Sequence, residues 1–189
     1  MSSHHIVREK QEPALLVLGL HNFSFELLGQ LLEWSPTVIA TEETAEKLDA
    51  DQIKVDWLLT DKHANELQTN IKIIALKNRH FLCAAMETLL RDGYPAVNII
   101  TNDVDPGDYL PYASSIDMVI YWENQRSYPV KSGFEKWQPA GSKISILDIS
   151  IDLTYRGLKK ITAHEFETIA DGFFTITFSG DHIFISEEV

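Results

Sequence analysis

Acidic side chains follow two predicted strands of this sequence, at the positions where each strand ends. Glu42 and Glu43 come directly after the apolar segment 37–41, and Asp61 follows the segment 55–60. Open α/β sheets bind their ligands at the carboxyl ends of the strands, where such residues meet. Magnesium binds through one or two carboxylates together with water and phosphate oxygens. These positions are therefore candidates for a metal and phosphate site, with Asp103 and Asp105 as further candidates.

The same residues have other interpretations, which the sequence leaves open. Asp61 or Asn65 could cap the next helix in an ordinary polar turn after a buried strand. Glu42 and Glu43 could start a helix, where acidic side chains interact favourably with the helix dipole. Magnesium prefers oxygen ligands, so a site that used imidazole would hold a transition metal. Such a site would be built from Asp61, His63 and His80.

Several common phosphate and metal motifs are missing from the sequence. It contains neither G-x-G-x-x-G nor G-x-x-x-x-G-K-[ST], so it lacks the glycine-rich loops that wrap phosphates with backbone amides. C-x-x-C, H-E-x-x-H and G-x-S-x-G are also missing, which argues against a zinc site and against a hydrolase nucleophile. The net charge of −12 argues against a general binder of nucleic acid or of anionic membranes.

The elements that must position these residues change in type along the chain. Up to about residue 101, short apolar strands alternate with amphipathic helical segments such as 22–34 and 79–93. This alternation predicts βαβ units with a mainly parallel sheet. After residue 125 only strand and turn signals follow, and a hairpin is predicted at 173–186. We therefore predict an α/β domain at 12–125 and an all-β domain at 126–189.

The sequence has no feature that would direct it to a membrane or out of the cell. No apolar run approaches the roughly 20 residues that span a bilayer, and the polar segment 1–13 lacks the apolar centre of a signal peptide. The single cysteine, Cys83, excludes an intrachain disulfide and fits a reducing compartment. We predict a cytoplasmic protein without a membrane partner.

Two segments resemble motifs of a known enzyme family. The segment "IKVDWLLTD" at 53–61 is similar to the pattern I-K-P-D-x-x-x-G-D, with Asp56 and Asp61 on its two acids. The segment "LTYRGLKK" at 153–160 resembles the pattern L-T-T-x-G-L-K-Y. The motifs and their order resemble the thiamine pyrophosphokinase family, whose members use magnesium to transfer a pyrophosphoryl group from ATP to thiamine.

The resemblance implies a fold, ligands and an assembly. It implies an α/β N-terminal domain with a mainly parallel sheet, an all-β sandwich C-terminal domain, and a homodimer. ATP would be the co-substrate, thiamine or a related small molecule the acceptor, and magnesium the metal. The implied catalytic carboxylates, of which the first two would hold the metal, are Asp61, Glu42 and Glu43. The implied contacts to the co-substrate are Thr154, Arg156 and Lys159. Lys159 is equally well explained as a solvated residue beside a turn at Gly157.

The sequence departs from the family pattern where the chemistry takes place. Glu42-Glu43-Thr44 replaces the family's D-G-G, and residues 60–64 keep only one of the two aspartates in G-D-x-D-S. Residues 79–83 replace T-D-x-x-K, and the family's S-x-S-N has no counterpart. Each lost group removes roughly 2–4 kcal/mol of charge stabilisation. These losses predict a weak or inactive pyrophosphokinase; the alternative is a non-catalytic ligand-binding or homodimeric interaction protein on the same fold.

Overall fold

The protein is described by a computed structural model that covers residues 12–62, 71–147 and 152–189. The chain divides by compactness into two units. The first consists of the described residues up to Asn102 together with Ser115–Asp117, and the second of Asp103–Ser114 and Met118–Val189. The domain bounds 12–125 and 126–189 stay predictions.

Parallel strands form the sheet of the first unit, as the alternating pattern indicates. In chain order they are β1 (Ala14–Val17), β2 (Val38–Thr41), β3 (Trp57–Leu59), β4 (Lys72–Ile74) and β5 (Ala96–Ile100). Their spatial order is β5-β1-β2-β3-β4, and each neighbouring pair is parallel. Every residue of β1, β2 and β3 is buried. Such continuous apolar strands are typical of a parallel sheet that is covered on both faces.

The helices of the first unit begin and end at residues that the sequence marks. They are α1 (Phe25–Leu32), α2 (Glu42–Ala50) and α3 (Phe81–Arg91). Ser24 caps α1 by accepting a hydrogen bond from the Leu27 amide at 3.3 Å, and Gly93 follows the end of α3 with φ +76°. Within the described part of the chain, every helix falls short of the length and apolar content needed to span a bilayer.

The second unit consists mainly of antiparallel sheet. A short helix, α4 (Pro106–Tyr109), and a 3-10 turn (Leu110–Tyr112) precede β6 (Asp117–Trp122), which begins at the border of the two units. The next strands are β7 (Gln125–Val130), β8 (Phe134–Gln138), β9 (Lys143–Ile146), β10 (Leu153–Arg156), β11 (Leu158–Lys160), β12 (Glu165–Thr168), β13 (Gly172–Phe178) and β14 (Ile183–Glu188). One sheet has the order β11-β12-β9-β14-β7-β6, and a smaller sheet has the order β10-β13-β8.

The two sheets of this unit share one apolar core, to which β13 and β14 contribute from opposite sides. Phe174 and Ile176 of β13 lie in that core together with Ile183 and Ile185 of β14. The predicted hairpin at 173–186 is wrong, because β13 pairs with β10 and β8, whereas β14 pairs with β7 and β9. Both strands must turn an apolar face toward the same core, so the chain crosses between the sheets instead of folding back. The whole chain is a mixed α/β fold made mostly of sheet, and the predicted fold class is confirmed at this level.

Candidate functional site at the carboxyl ends of the parallel strands

The start of α2 holds Glu42 at the carboxyl end of β2. Thr41 ends β2 and caps α2: its amide donates to Thr44 Oγ1 at 2.9 Å, and the Thr44 amide donates back to Thr41 Oγ1 at 3.2 Å. Thr44 Oγ1 also donates to the carbonyl oxygen of Val17, the last residue of β1, at 2.8 Å. The reciprocal pair satisfies amides that the first helical turn leaves without partners. Glu42, the first residue of α2, is thereby fixed beside the strand ends.

Glu42 is bonded through both of its carboxylate oxygens to residues that follow β3. Thr60 Oγ1 donates to Glu42 Oε1, and Lys62 Nζ lies 2.5 Å from Glu42 Oε2. The Lys62 amide also donates to Thr60 Oγ1 at 2.9 Å, which links the two partners to each other. We call these three residues the Glu42 cluster. The Lys62 bond and the Thr60 bond lower the pKa of the Glu42 carboxyl, so Glu42 carries its negative charge at neutral pH.

Asp61 lies between Thr60 and Lys62 in the chain but contacts a different partner. Its Oδ1 accepts a hydrogen bond from the Lys77 amide at 2.9 Å, just after β4. Lys77 and Asn78 both have positive φ, +51° and +64°, a conformation that costs energy for residues other than glycine. Asp61 therefore helps to hold this turn. His63 and Asn65, which the sequence analysis considered as ligand and cap, lie outside the described residues.

Glu43 belongs to the solvent side of α2. Its side chain is 79% exposed and pairs with Lys47 one helical turn later, at 2.7 Å between Oε1 and Nζ. The Lys47 bond lowers the pKa of the Glu43 carboxyl. The structure thus brings Glu42 together with Thr60 and Lys62, and directs Glu43 into a surface ion pair.

The remaining strand-end candidates have local structural contacts. Asp105 caps α4 by accepting a hydrogen bond from the Gly107 amide at 2.9 Å, and Asp103 is exposed. Asn102 Oδ1 accepts a hydrogen bond from the His21 amide at 2.9 Å, which joins the segments after β1 and β5. A methyl group at Gly19 would overlap the Asn102 side chain, which would then have to move away. No local pattern in the sequence indicates this contact between distant segments.

The donors at the strand ends, as far as the structure describes them, do not fit a magnesium ion. The described residues contain no group of three or more histidine, cysteine, aspartate or glutamate side chains arranged to hold a metal. Both oxygens of Glu42 already contact protein donors, one of which is the Lys62 ammonium. His80 is exposed and makes an edge contact with the Phe81 ring at 6.2 Å between centroids. Asp61, the other carboxylate predicted to bind the metal, accepts a hydrogen bond from the Lys77 amide.

In the second unit, the predicted co-substrate contacts lie on two different sheets. Thr154 and Arg156 alternate along β10 and are both exposed, so they share the outer face of the small sheet. Lys159 is on β11 of the larger sheet and pairs with Glu167 at 3.3 Å. Gly157 makes the connection with φ +73°, and a Cβ there would lie 2.9 Å from the Phe173 carbonyl oxygen.

An aromatic pair is exposed on the same outer face as Thr154 and Arg156. Trp137 of β8 lies directly opposite Phe173 of β13, and their side chains are 53% and 63% exposed. In the next outward row, Thr175 of β13 lies opposite Arg156. We call this surface, formed by the outward residues of β8, β10 and β13, the aromatic face. Large apolar side chains grouped on a surface are typical of places where proteins bind ligands or partners.

A buried carboxylate that the sequence analysis missed lies in the same unit. Glu187 on β14 is 5% exposed, and we call it, with its four hydrogen-bond donors, the Glu187 cluster. Oε1 accepts bonds from Lys136 Nζ, from Arg126 Nε at 2.9 Å and from Tyr128 OH at 3.2 Å, and Oε2 accepts one from Gln138 Nε2 at 2.8 Å. Burial alone raises the pKa of Glu187, but the Lys136 bond and the charges of Lys136 and Arg126 outweigh it, so the pKa is lowered.

Comparison with solved structures identifies the class of fold. The thiamine pyrophosphokinase of Bacillus subtilis superposes with a TM-score of 0.67 and 13% identity, over 94% of this chain and 99% of that one. The yeast enzyme gives 0.66 and 11%, over 96% and 87%, and the Candida albicans enzyme gives 0.66 and 11%, over 94% and 89%. This chain therefore has the fold of the thiamine pyrophosphokinases, and the predicted resemblance is confirmed at the level of the fold.

The sequence comparisons give no closer relationship. No protein-family model matches this chain, and no curated protein matches it in sequence. At 10% to 13% sequence identity, the similarity to solved structures shows the fold alone. Function must therefore be argued from the residues of this chain.

Proposed function

We propose that this chain is a thiamine pyrophosphokinase-like protein in which magnesium-dependent transfer from ATP to thiamine is weak or lost. The fold supports the family relationship. The single observation that carries the proposed loss is the ion pair between Glu42 and Lys62, with 2.5 Å between Oε2 and Nζ. An internal ammonium already compensates the carboxylate that the family resemblance assigned to the metal.

The charge requirements of the reaction explain why this contact matters. Pyrophosphoryl transfer develops negative charge on phosphate oxygens, and enzymes of this kind stabilise it with metal ions and fixed cations. A magnesium ion at this position would compete with Lys62 for Glu42 and with the Lys77 amide for Asp61. Glu43, the third predicted carboxylate, is held in its exposed pair with Lys47. These contacts support a site with little capacity to hold the metal.

Ligand binding without transfer is the activity that we propose in its place. The exposed Arg156 and Thr154 offer a cation and a hydroxyl on one face, and they are candidates for contacts to a nucleotide or a thiamine-like ligand. Lys159 is a third candidate, because its pair with Glu167 spans 3.3 Å at the surface and an exposed pair of this kind contributes little to stability. ATP and thiamine are the first ligands to test.

An enzyme assay combined with thermal melting tests this proposal. The purified protein is incubated with ATP, magnesium and thiamine, and AMP and thiamine diphosphate are measured. We expect turnover far below the roughly 1–10³ s⁻¹ that is usual for enzymes, together with a rise in melting temperature of about 5–10 °C at 100-fold excess over Kd for a ligand that binds. Efficient turnover that Asp61→Asn abolishes would refute the proposal.

The aromatic face supports a second candidate function, a homodimeric interaction protein. Trp137 and Phe173 lie opposite each other and are mostly exposed, whereas tryptophan and other aromatic residues are enriched at the centres of protein interfaces. We expect light scattering after size exclusion to give twice the 21.5 kDa mass of the chain, and Trp137→Ser to shift the protein toward monomer. Trp34→Ser is the matched control, since Trp34 is 72% exposed on the first unit. A monomer at every concentration tested would exclude this candidate.

A further inference from the structure

A lysine ammonium lies directly beside the Glu42 carboxylate. Lys62 Nζ lies 2.5 Å from Glu42 Oε2, while Oε1 accepts the bond from Thr60 Oγ1. Thr60 is only 1% exposed, so its hydroxyl is fixed and cannot turn away into solvent. The carboxylate therefore has one oxygen held by a neutral donor and one held by a full positive charge.

We propose that Lys62 is the resident cation of Glu42 and that it weakens the binding of divalent metals to this carboxylate in the intact protein. The inference rests on the proposed function, because it gives a physical cause for the proposed loss of magnesium-dependent transfer. A metal ion that approached Glu42 would have to displace Lys62 Nζ and would then meet that ammonium at short range. Like charges at such a distance repel each other, which adds to the loss of the ion pair.

The chain geometry keeps Lys62 in this place. Thr60 Oγ1 accepts a bond from the Lys62 amide at 2.9 Å and donates its own proton to Glu42, so the backbone of Lys62 is tied to the same carboxylate as its side chain. Glu42 is in turn fixed by the capping box of α2. The same Lys62 bond is the first cause that lowers the pKa of Glu42.

Manganese binding tests this inference directly. Mn²⁺ prefers carboxylate oxygen as a ligand, and electron paramagnetic resonance quantifies the unbound ion. The intact chain is compared with Lys62→Met, Glu42→Gln and the double variant. Removing an exposed competing ion pair strengthens binding by at most about fivefold. We therefore expect Lys62→Met to gain Mn²⁺ affinity by about that factor, and the double variant to lose the gain.

The matched control is the second ion pair at the start of the same helix. Lys47→Met releases Glu43, which pairs with Lys47 at 2.7 Å, and it changes the net charge by the same amount. An exposed single carboxylate without the buried Thr60 hydroxyl beside it should gain no comparable site. Melting curves confirm that each variant is folded.

Two results would overturn the inference. One is a loss of Mn²⁺ binding in Glu42→Gln relative to the intact chain, since Glu42 would then already hold metal. The other is a gain in Lys62→Met that is missing or no larger than the gain in Lys47→Met. The proposed function fails separately, through efficient formation of thiamine diphosphate by the intact chain, and that outcome leaves the Mn²⁺ comparison unchanged.

Discussion

Replacing the buried carboxylate of the Glu187 cluster should destabilise the second unit. The substitution Glu187→Gln keeps the size of the side chain but removes the charge that faces Lys136 and Arg126. Breaking a buried ion pair by removing one partner costs about 3–5 kcal/mol. Lys136 and Arg126 are 29% and 41% exposed, so they can regain contact with water. We therefore expect the free energy of unfolding to fall by about 2–3 kcal/mol.

The pH dependence of this effect follows from the lowered pKa of Glu187. A carboxyl whose pKa is lower in the folded than in the unfolded chain stabilises the fold above the unfolded pKa, about 4.3 for glutamate. That stability is lost as the pH falls through the folded pKa. The difference between the intact chain and Glu187→Gln should therefore be full at pH 7 and should shrink as the pH falls below about 4.

Urea denaturation followed by tryptophan fluorescence measures the change in stability. Hydrogen exchange of the amides in β7 and β14 then assigns the loss to the second unit, where these two strands pair. Glu167→Gln is the matched control, because Glu167 pairs with Lys159 at 3.3 Å on the exposed edge, and its loss should cost less than about 1 kcal/mol. Equal effects of the two substitutions, or a difference that does not change with pH, would refute the reasoning.

Two further predictions concern the backbone. Thr44→Val should lower the free energy of unfolding by about 2 kcal/mol, because the buried Thr44 Oγ1 accepts a hydrogen bond from the Thr41 amide at the start of α2 and donates one to the Val17 carbonyl at the end of β1. Thr154→Val on an exposed strand should change it by less than about 0.5 kcal/mol. Gly157→Ala should cost at least about 2 kcal/mol more than Gly133→Ala in urea denaturation, and equal costs would contradict this. Both glycines have positive φ, but only a Cβ at Gly157 meets a backbone atom, the Phe173 carbonyl at 2.9 Å.

Local pattern was sufficient for much of the first unit. The apolar runs that became β1, β2 and β3 are too continuous for surface strands, and the helical segments between them require parallel crossovers. Ser24 and Gly93 mark helix ends because their side-chain oxygen and backbone freedom act on neighbouring residues. Such interactions span a few residues, so the sequence displays them directly.

The pairing of segments that are distant in the chain was predicted wrongly or not at all from the sequence. The alternation in 173–186 correctly indicated two strands, but it did not reveal that β13 and β14 belong to different sheets. Both strands show the same period of two, since each faces the same core. Pattern alone does not distinguish a hairpin from two strands that face each other across that core.

The sequence by itself determined which residues stand at the ends of the parallel strands, because strand and helix periods fix where Glu42 and Asp61 fall. Only the tertiary structure decided what those carboxylates contact. Lys62 is 20 residues from Glu42, and Lys136 is 51 residues from Glu187, so their meeting depends on how the sheets are assembled. The sequence shows that a residue is a glutamate but not whether its carboxylate faces a metal, an ammonium or water. Its neighbours in space determine its role.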